Sequence, residues 1–219
     1  MDDSHVLEAR DVAVRFNEQT VLEGFSLSLK AGDKVVLTGP SGCGKSTALR
    51  CFLGFVTPSA GTVAVEGTPL THQTVWALRR QMAYVGQEPD LGTGSVREAL
   101  ERPFHYSANV SLKANLDRAP ELFGAFGLLG AMLDKSTGDL SGGEKQRVAL
   151  VSAILLDRRI FLLDEVTSAL DGAGKDAVLG YFKARTDVTA LFVAHDTERF
   201  AFADRLVSLP QVAASRGVE

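Results

Sequence analysis

Lys45 and Ser46, with three glycines just ahead of them, are the residues of this chain best suited to gripping a polyanion. Gly39–Thr47 reads GPSGCGKST and fits the spacing G-x-x-x-x-G-K-[ST], with Gly39, Gly44, Lys45 and Ser46 in register. A triphosphate crowds negative charge into a small volume. Backbone N–H groups hold it when the chain curls around it, and Gly39, Gly42 and Gly44 keep a Cβ out of the way. Pro40, Ser41, Cys43 and Thr47 complete the loop; Cys43 is a small residue tolerated at a variable position. Lys45 supplies a mobile cation for the β- and γ-phosphates and Ser46 a hydroxyl for Mg²⁺. The helix expected from Lys45 onward turns its positive dipole end to the same place. A loop of this kind alone leaves kinases, GTPases and transport motors open.

Two further groups could act on the same anion. Ile160–Glu165 reads IFLLDE, an apolar run that ends in two carboxylates. If the run is a buried strand, the acids emerge at its C-terminal end, where α/β sheets bind their ligands. Asp164 is then suited to holding Mg²⁺, and Glu165 to orienting or deprotonating an attacking water. Leu140–Arg147 reads LSGGEKQR. Ser141 and Glu144 have capping-box spacing, and Gly142 and Gly143 leave the first helical N–H groups uncovered as an anion site. A glycine costs about 1 kcal/mol relative to alanine inside a helix. Two in one first turn need a reason, and the close approach of a phosphate is one.

These groups need elements to carry them. Lys34–Thr38 reads as a short buried strand ahead of the loop. Ala48, Leu49, Phe52 and Leu53 share one helical face behind it. Earlier, residues 5–16 and 21–30 alternate as two strands joined by the NEQT turn. Gly61–Val65 and Met82–Gly86 are further strands, with a helix over Val75–Arg80. After Gln87 the pattern becomes helical: Ser95 and Glu98 open a capped helix, and Leu112–Phe126 and Leu128–Leu133 are helical candidates. From Ser141 the order is helix, strand, helix, strand. Ile160–Leu163 and Thr189–Ala194 are continuous apolar runs, as a parallel sheet covered on both faces requires.

The 219 residues carry 23 basic and 27 acidic side chains, a net charge of −4, and nothing in that balance argues for nucleic acid. Cys43 and Cys51 form no metal-ligand spacing, and a reduced cytosolic setting is the simple reading. The polar, acidic start MDDSH is unlike a signal peptide. The longest apolar run, near Val148–Leu156, is far short of the ~20 residues a membrane helix needs. The tail 210–219 is polar, and we expect it to be frayed.

The order of the phosphate loop, LSGGEKQR and IFLLDE resembles the ATP-binding subunits of ABC transporters, from about Val6 to Leu209. The resemblance implies an α/β fold: a P-loop NTPase with a RecA-like parallel core, an N-terminal antiparallel β-subdomain and a helical insertion. It implies one domain over 1–219, with a nucleotide-binding core of 1–87 and 140–209 and a helical subdomain of 88–139. Other landmarks follow one by one. Gln87 resembles the glutamine that contacts Mg²⁺ and the water. Ser168, Ala169, Leu170 and Asp171 resemble the D-loop. His195 resembles the histidine that holds the γ-phosphate, and Phe16 the aromatic that stacks on adenine, although the family more often has Tyr there.

Further consequences rest on the resemblance alone. Two subunits pair head to tail across two ATP molecules. Each ATP lies on Gly39–Thr47 of one copy and under Leu140–Glu144 of the other. The partner is an integral membrane permease, which holds the chain peripherally on the cytoplasmic face of the membrane. GPSGCGKST and LLDEVTSALD are similar to bacterial ATPases paired with a small iron-export permease. Asp134–Asp139 lacks the TxVGExG-like run of many fused exporters. An ABC-type ATPase that transmits force without moving solute would carry the same motifs. Those of DNA repair or translation usually have long coiled-coil insertions or two cassettes, and a small-molecule kinase has no need of LSGGE.

Overall fold

The computed structural model describes residues 5–212; residues 1–4 of the acidic start and 213–219 of the tail lie outside them. The chain opens with an antiparallel hairpin of β1 (Leu7–Phe16) and β2 (Gln19–Leu29), turning at Asn17, whose φ is 54°. Then come β3 (Lys34–Thr38), α1 (Lys45–Phe52), β4 (Ala60–Val65), the two-residue β5 (Thr68–Pro69), α2 (Val75–Arg79) and β6 (Met82–Val85). After α3 (Val96–Glu101) and α4 (Ala119–Ala125) follow α5 (Gly142–Leu155), β7 (Ile160–Asp164), α6 (Gly172–Ala184), β8 (Thr189–Val193) and β9 (Arg205–Ser208).

Two sheets result. One is antiparallel, in the order β2-β1-β4-β5; the other is parallel, in the order β6-β7-β8-β3-β9. β3, β7 and β8 are the continuous apolar strands, and successive side chains leave them on opposite faces. Val35, Leu37, Leu162, Leu191 and Val193 join a core with α1 and the antiparallel sheet. Val36, Phe161, Leu163, Ala190 and Phe192 join a second core with α3, α4, α5 and α6. Each fully buried leucine or phenylalanine contributes about 1.5–3 kcal/mol. The sheet is therefore clamped from both sides, and its strand ends are held rigidly.

The helical stretch differs from expectation in detail. Leu112–Phe126 and Leu128–Leu133 are the stretches expected to be helical. Val110–Arg118 and Gly130–Asp134 are 3₁₀ helices without a side-chain N-cap, and α4 begins only at Ala119 with Pro120 in its first turn. Proline starts a helix readily and is poorly tolerated within one, so the long apolar pattern is cut there. Both expected capping boxes form, at Ser95/Glu98 and at Ser141/Glu144.

Candidate nucleotide site

The C-terminal ends of β3, β6, β7 and β8 lead into Gly39–Thr47, Gln87, Asp164 with Glu165, and His195. β3 ends at Thr38 and the loop Gly39–Gly44 leads straight into α1. Lys45 is only 5% exposed, and its ammonium donates to the Gly39 and Pro40 carbonyls at 2.9 Å each. The charge thus sits inside the curl of the loop. The glycines have separable reasons. A Cβ on Gly39 would lie 2.4 Å from the Leu209 carbonyl oxygen, and one on Gly44 would lie 2.9 Å from the Val21 oxygen. Gly42, at φ 77°, faces open space. Two of the three are therefore required by packing against the chain itself.

At the end of β7, Ser46 Oγ donates to Asp164 Oδ1 at 3.1 Å. Burial raises the Asp164 carboxyl above its usual range, and the Ser46 hydrogen bond opposes this. Glu165 follows in the left-handed region, at φ 51°. That conformation is strained for a glutamate, and the bond from Glu165 N to the Val193 carbonyl, 3.0 Å, holds it. The turn brings the Glu165 carboxylate between two other side chains. Gln87 Nε2 donates to Oε2 at 3.0 Å, and His195 Nε2 lies 2.8 Å from Oε1. Ser168 Oγ donates to the Glu165 carbonyl at 2.8 Å. Phe16 is half-exposed at the end of β1.

Ser46, Gln87 and Asp164 share a groove of about 970 Å³, also lined by Arg50, Tyr84 and Tyr106. Glu165, Ser168 and His195 line a second cavity of about 100 Å³ together with Lys175 and Arg199. Leu140–Glu144 line neither. Gly142 and Gly143 instead face Ala169, within the segment Ser168–Asp171. A Cβ on Gly143 would lie 2.9 Å from the Ala169 carbonyl oxygen, whereas Gly142 has room. Gly143 thus has a reason within its own chain, apart from any phosphate. Hydrogen bonds from the backbone and side chain of Ser141 hold the Glu144 carboxyl below its usual range. Lys175 and Arg199 had no motif to mark them; a basic residue near a strand-end histidine is a signal only once the fold brings them together.

Known proteins resemble this chain in sequence and fold. Residues 22–168 match the ABC transporter family. The chain is 31% identical over 215 residues to the probable iron export ATP-binding protein FetA of Escherichia coli K12, covering 95% of this chain and 92% of that protein. It is 33% identical over 216 residues to the nickel import ATP-binding protein NikE of Shigella dysenteriae, covering 93% and 81%. A bacterial ABC transporter cassette solved as a dimer superposes with a TM-score of 0.82 at 26% identity, over 96% of this chain and 97% of that one. The same cassette in a post-hydrolysis state with ADP and phosphate gives a TM-score of 0.81. Among the described residues no helix is long and apolar enough to cross a membrane.

Proposed function

The chain belongs to the ABC transporter family and is an ATP-hydrolysing subunit, and from that premise we propose that two copies close around two ATP molecules and drive a separate membrane permease. The observation that carries this reading is the Glu165 carboxylate held between Gln87 and His195, one residue beyond an Asp164 bonded to Ser46. Glu165 orients or deprotonates the attacking water, and His195 and Lys45 hold the γ-phosphate. The backbone of Gly39–Thr47 cradles the phosphates, and Phe16 offers its ring to adenine. Ser46, Asp164 and Gln87 are the oxygen-bearing groups that would hold Mg²⁺, and the convergence of hydroxyl and buried carboxylate fits a hard cation. Bound there, Mg²⁺ would neutralise charge that develops on the phosphate oxygens.

The capped, glycine-rich start of α5 faces the other copy's nucleotide, with Ser168–Asp171 beside it at the seam. Residues 88–139 act as the helical subdomain around the core of 1–87 and 140–209. The groove beside Gln87 receives the permease, so the chain works on the cytoplasmic face of the membrane. Its size and its exposed Tyr84 and Tyr106 suit a helix from a protein partner. For cargo we propose a transition-metal ion moved outward, in line with the likeness to the iron-export protein over nearly the full length of both chains. The nickel import relative makes direction the part to be measured.

Ser41→Cys with Ser141→Cys tests the sandwich in a Glu165→Gln background. Saturating ATP should give a disulfide-linked dimer, and its absence would overturn the head-to-tail arrangement. Vesicles holding the chain with its permease test the cargo: ATP-driven iron flux is expected, and ATPase activity without metal movement would sink that assignment.

A further inference from the structure

Six polar or charged residues are buried among the described residues: Lys34, Lys45, Thr137, Gln146, Asp164 and Thr189. Burying such a group is costly unless its hydrogen bonds are made, so each needs a reason. Lys45 and Asp164 belong to the nucleotide site. Lys34 and Thr189 tie the N-terminal ends of strands together, Lys34 Nζ donating to Val188 O and Thr189 Oγ1 accepting from Gly32 N. Thr137 and Gln146 remain. They flank the LSGGE segment, one on each side, and both reach the same loop.

Gln146 Nε2 donates to the Gly86 carbonyl at 3.1 Å. Gly86 is the residue before Gln87. Thr137 Oγ1 donates to the Gly92 carbonyl at 2.6 Å, and Thr137 N to the Gly94 carbonyl at 2.9 Å. The second fastening is reinforced by an antiparallel bridge between Ser95 and Ser136 and by Val96 N to Lys135 O at 3.0 Å. The loop 87–91 is therefore strung between two fixed points, each belonging to the segment that presents Ser141. Its first residue is the one bonded to Glu165, and Glu88, Pro89, Asp90 and Leu91 line the large groove.

We propose that Gln146 and Thr137 are positioning residues that bind both ends of the 87–91 loop to the LSGGE segment. A push on the groove then moves Gln87 and Ser141 as one body. This rests on the reading above, in which Gln87 acts at Glu165 and Ser141 serves the other copy's nucleotide. Neither residue touches the reacting atoms; they act through Gln87 and through the start of α5.

Three variants of the full chain test it: Gln146→Met and Thr137→Val keep the shape and remove the donor, and Thr137→Ser keeps the hydroxyl. We expect the first two to lower kcat about tenfold while the Kd for a fluorescent ATP analogue stays within about twofold, and Thr137→Ser to stay near wild type. In a Gln87→Ala background, Gln146→Met should cost less than about twofold more, because the group it positions is gone. In a Glu165→Gln background, Thr137→Val should need about tenfold more ATP to dimerise. A full tenfold cost of Gln146→Met on top of Gln87→Ala would overturn the link to Gln87, and unaltered dimerisation would overturn the link to Ser141. Loss of ATP binding in step with kcat and Tm would reduce both residues to general structural roles. If Gln87→Ala alone leaves turnover unchanged, the assignment of Gln87 itself fails, and with it the fastening that acts through it.

Discussion

Lys34 and Lys45 stand at opposite ends of β3, and by simple measures they are alike. Each is 5% exposed, and each ammonium donates to two backbone carbonyls. The difference lies in where those carbonyls come from. Lys34 binds Gly32 and Val188, the latter from the segment leading into β8, and it has Asp204, Asp187 and Asp33 around it. Lys45 binds Gly39 and Pro40, a few residues back in its own loop. Its bonds can be exchanged for those of another oxygen without separating any two elements. Exchanging those of Lys34 means parting β3 from the chain that enters β8. A buried cation closed by distant backbone is structure, whereas one closed by its own glycine loop is free to change partner.

The sharpest way to break this contrast is Lys45→Ala. With no other cation offered inside the loop, ATP binding and turnover should both be lost, the latter by about a thousandfold, while thermal stability stays near wild type. A variant that hydrolyses ATP normally would show that the loop does not work through Lys45. Glu165→Gln comes next. It should keep nucleotide binding and lower kcat by about a hundredfold, leaving an ATP-bound dimer visible by size-exclusion chromatography. Hydrolysis at the wild-type rate would remove Glu165 from the reaction.

Lys34→Met moves to the other end of the strand and should give the reverse result. It strands two carbonyls that have lost their donor, at a cost of about 3 kcal/mol. Urea unfolding should register that loss, while kcat per folded molecule is unchanged. If turnover fell and stability held, Lys34 would serve the reaction and not the frame.

What could be seen in the sequence follows the same division. The phosphate loop, β3, β7, β8 and the capping boxes at Ser95 and Ser141 were legible because each is local: glycine spacing, an apolar run, a serine three residues from a glutamate. Phe16, Gln87 and His195 came only from likeness to a family. β9 was missed because its four residues alternate weakly and are mostly exposed, and its pairing with β3 is decided by distant chain. Lys34, Thr137 and Gln146 were invisible for one reason. Each polar side chain is satisfied by a backbone carbonyl, and a carbonyl carries no residue type.

The smallest expected effect lies beside Lys34. Arg185 grips Asp187 with two bonds, Nε to Oδ1 at 2.7 Å and Nη2 to Oδ2 at 2.8 Å, and donates to the Tyr181 hydroxyl. The Arg185 hydrogen bonds pull the Asp187 carboxyl down from an ordinary value near 3.8 to about 2. A folded-state value below the unfolded one means stability that is complete above about pH 4 and lost as pH falls toward about 2. The pair is largely solvated, so its worth is about 0.5 kcal/mol, or about 1–2 °C in Tm for a chain of this size. Asp187→Asn should therefore melt lower than wild type by that margin at pH 6, with the gap closing by pH 2. A gap that persists at pH 2, where the carboxyl has lost much of its charge, would trace the loss to packing. The closed end of β3 would then depend on charge less than its bonding suggests.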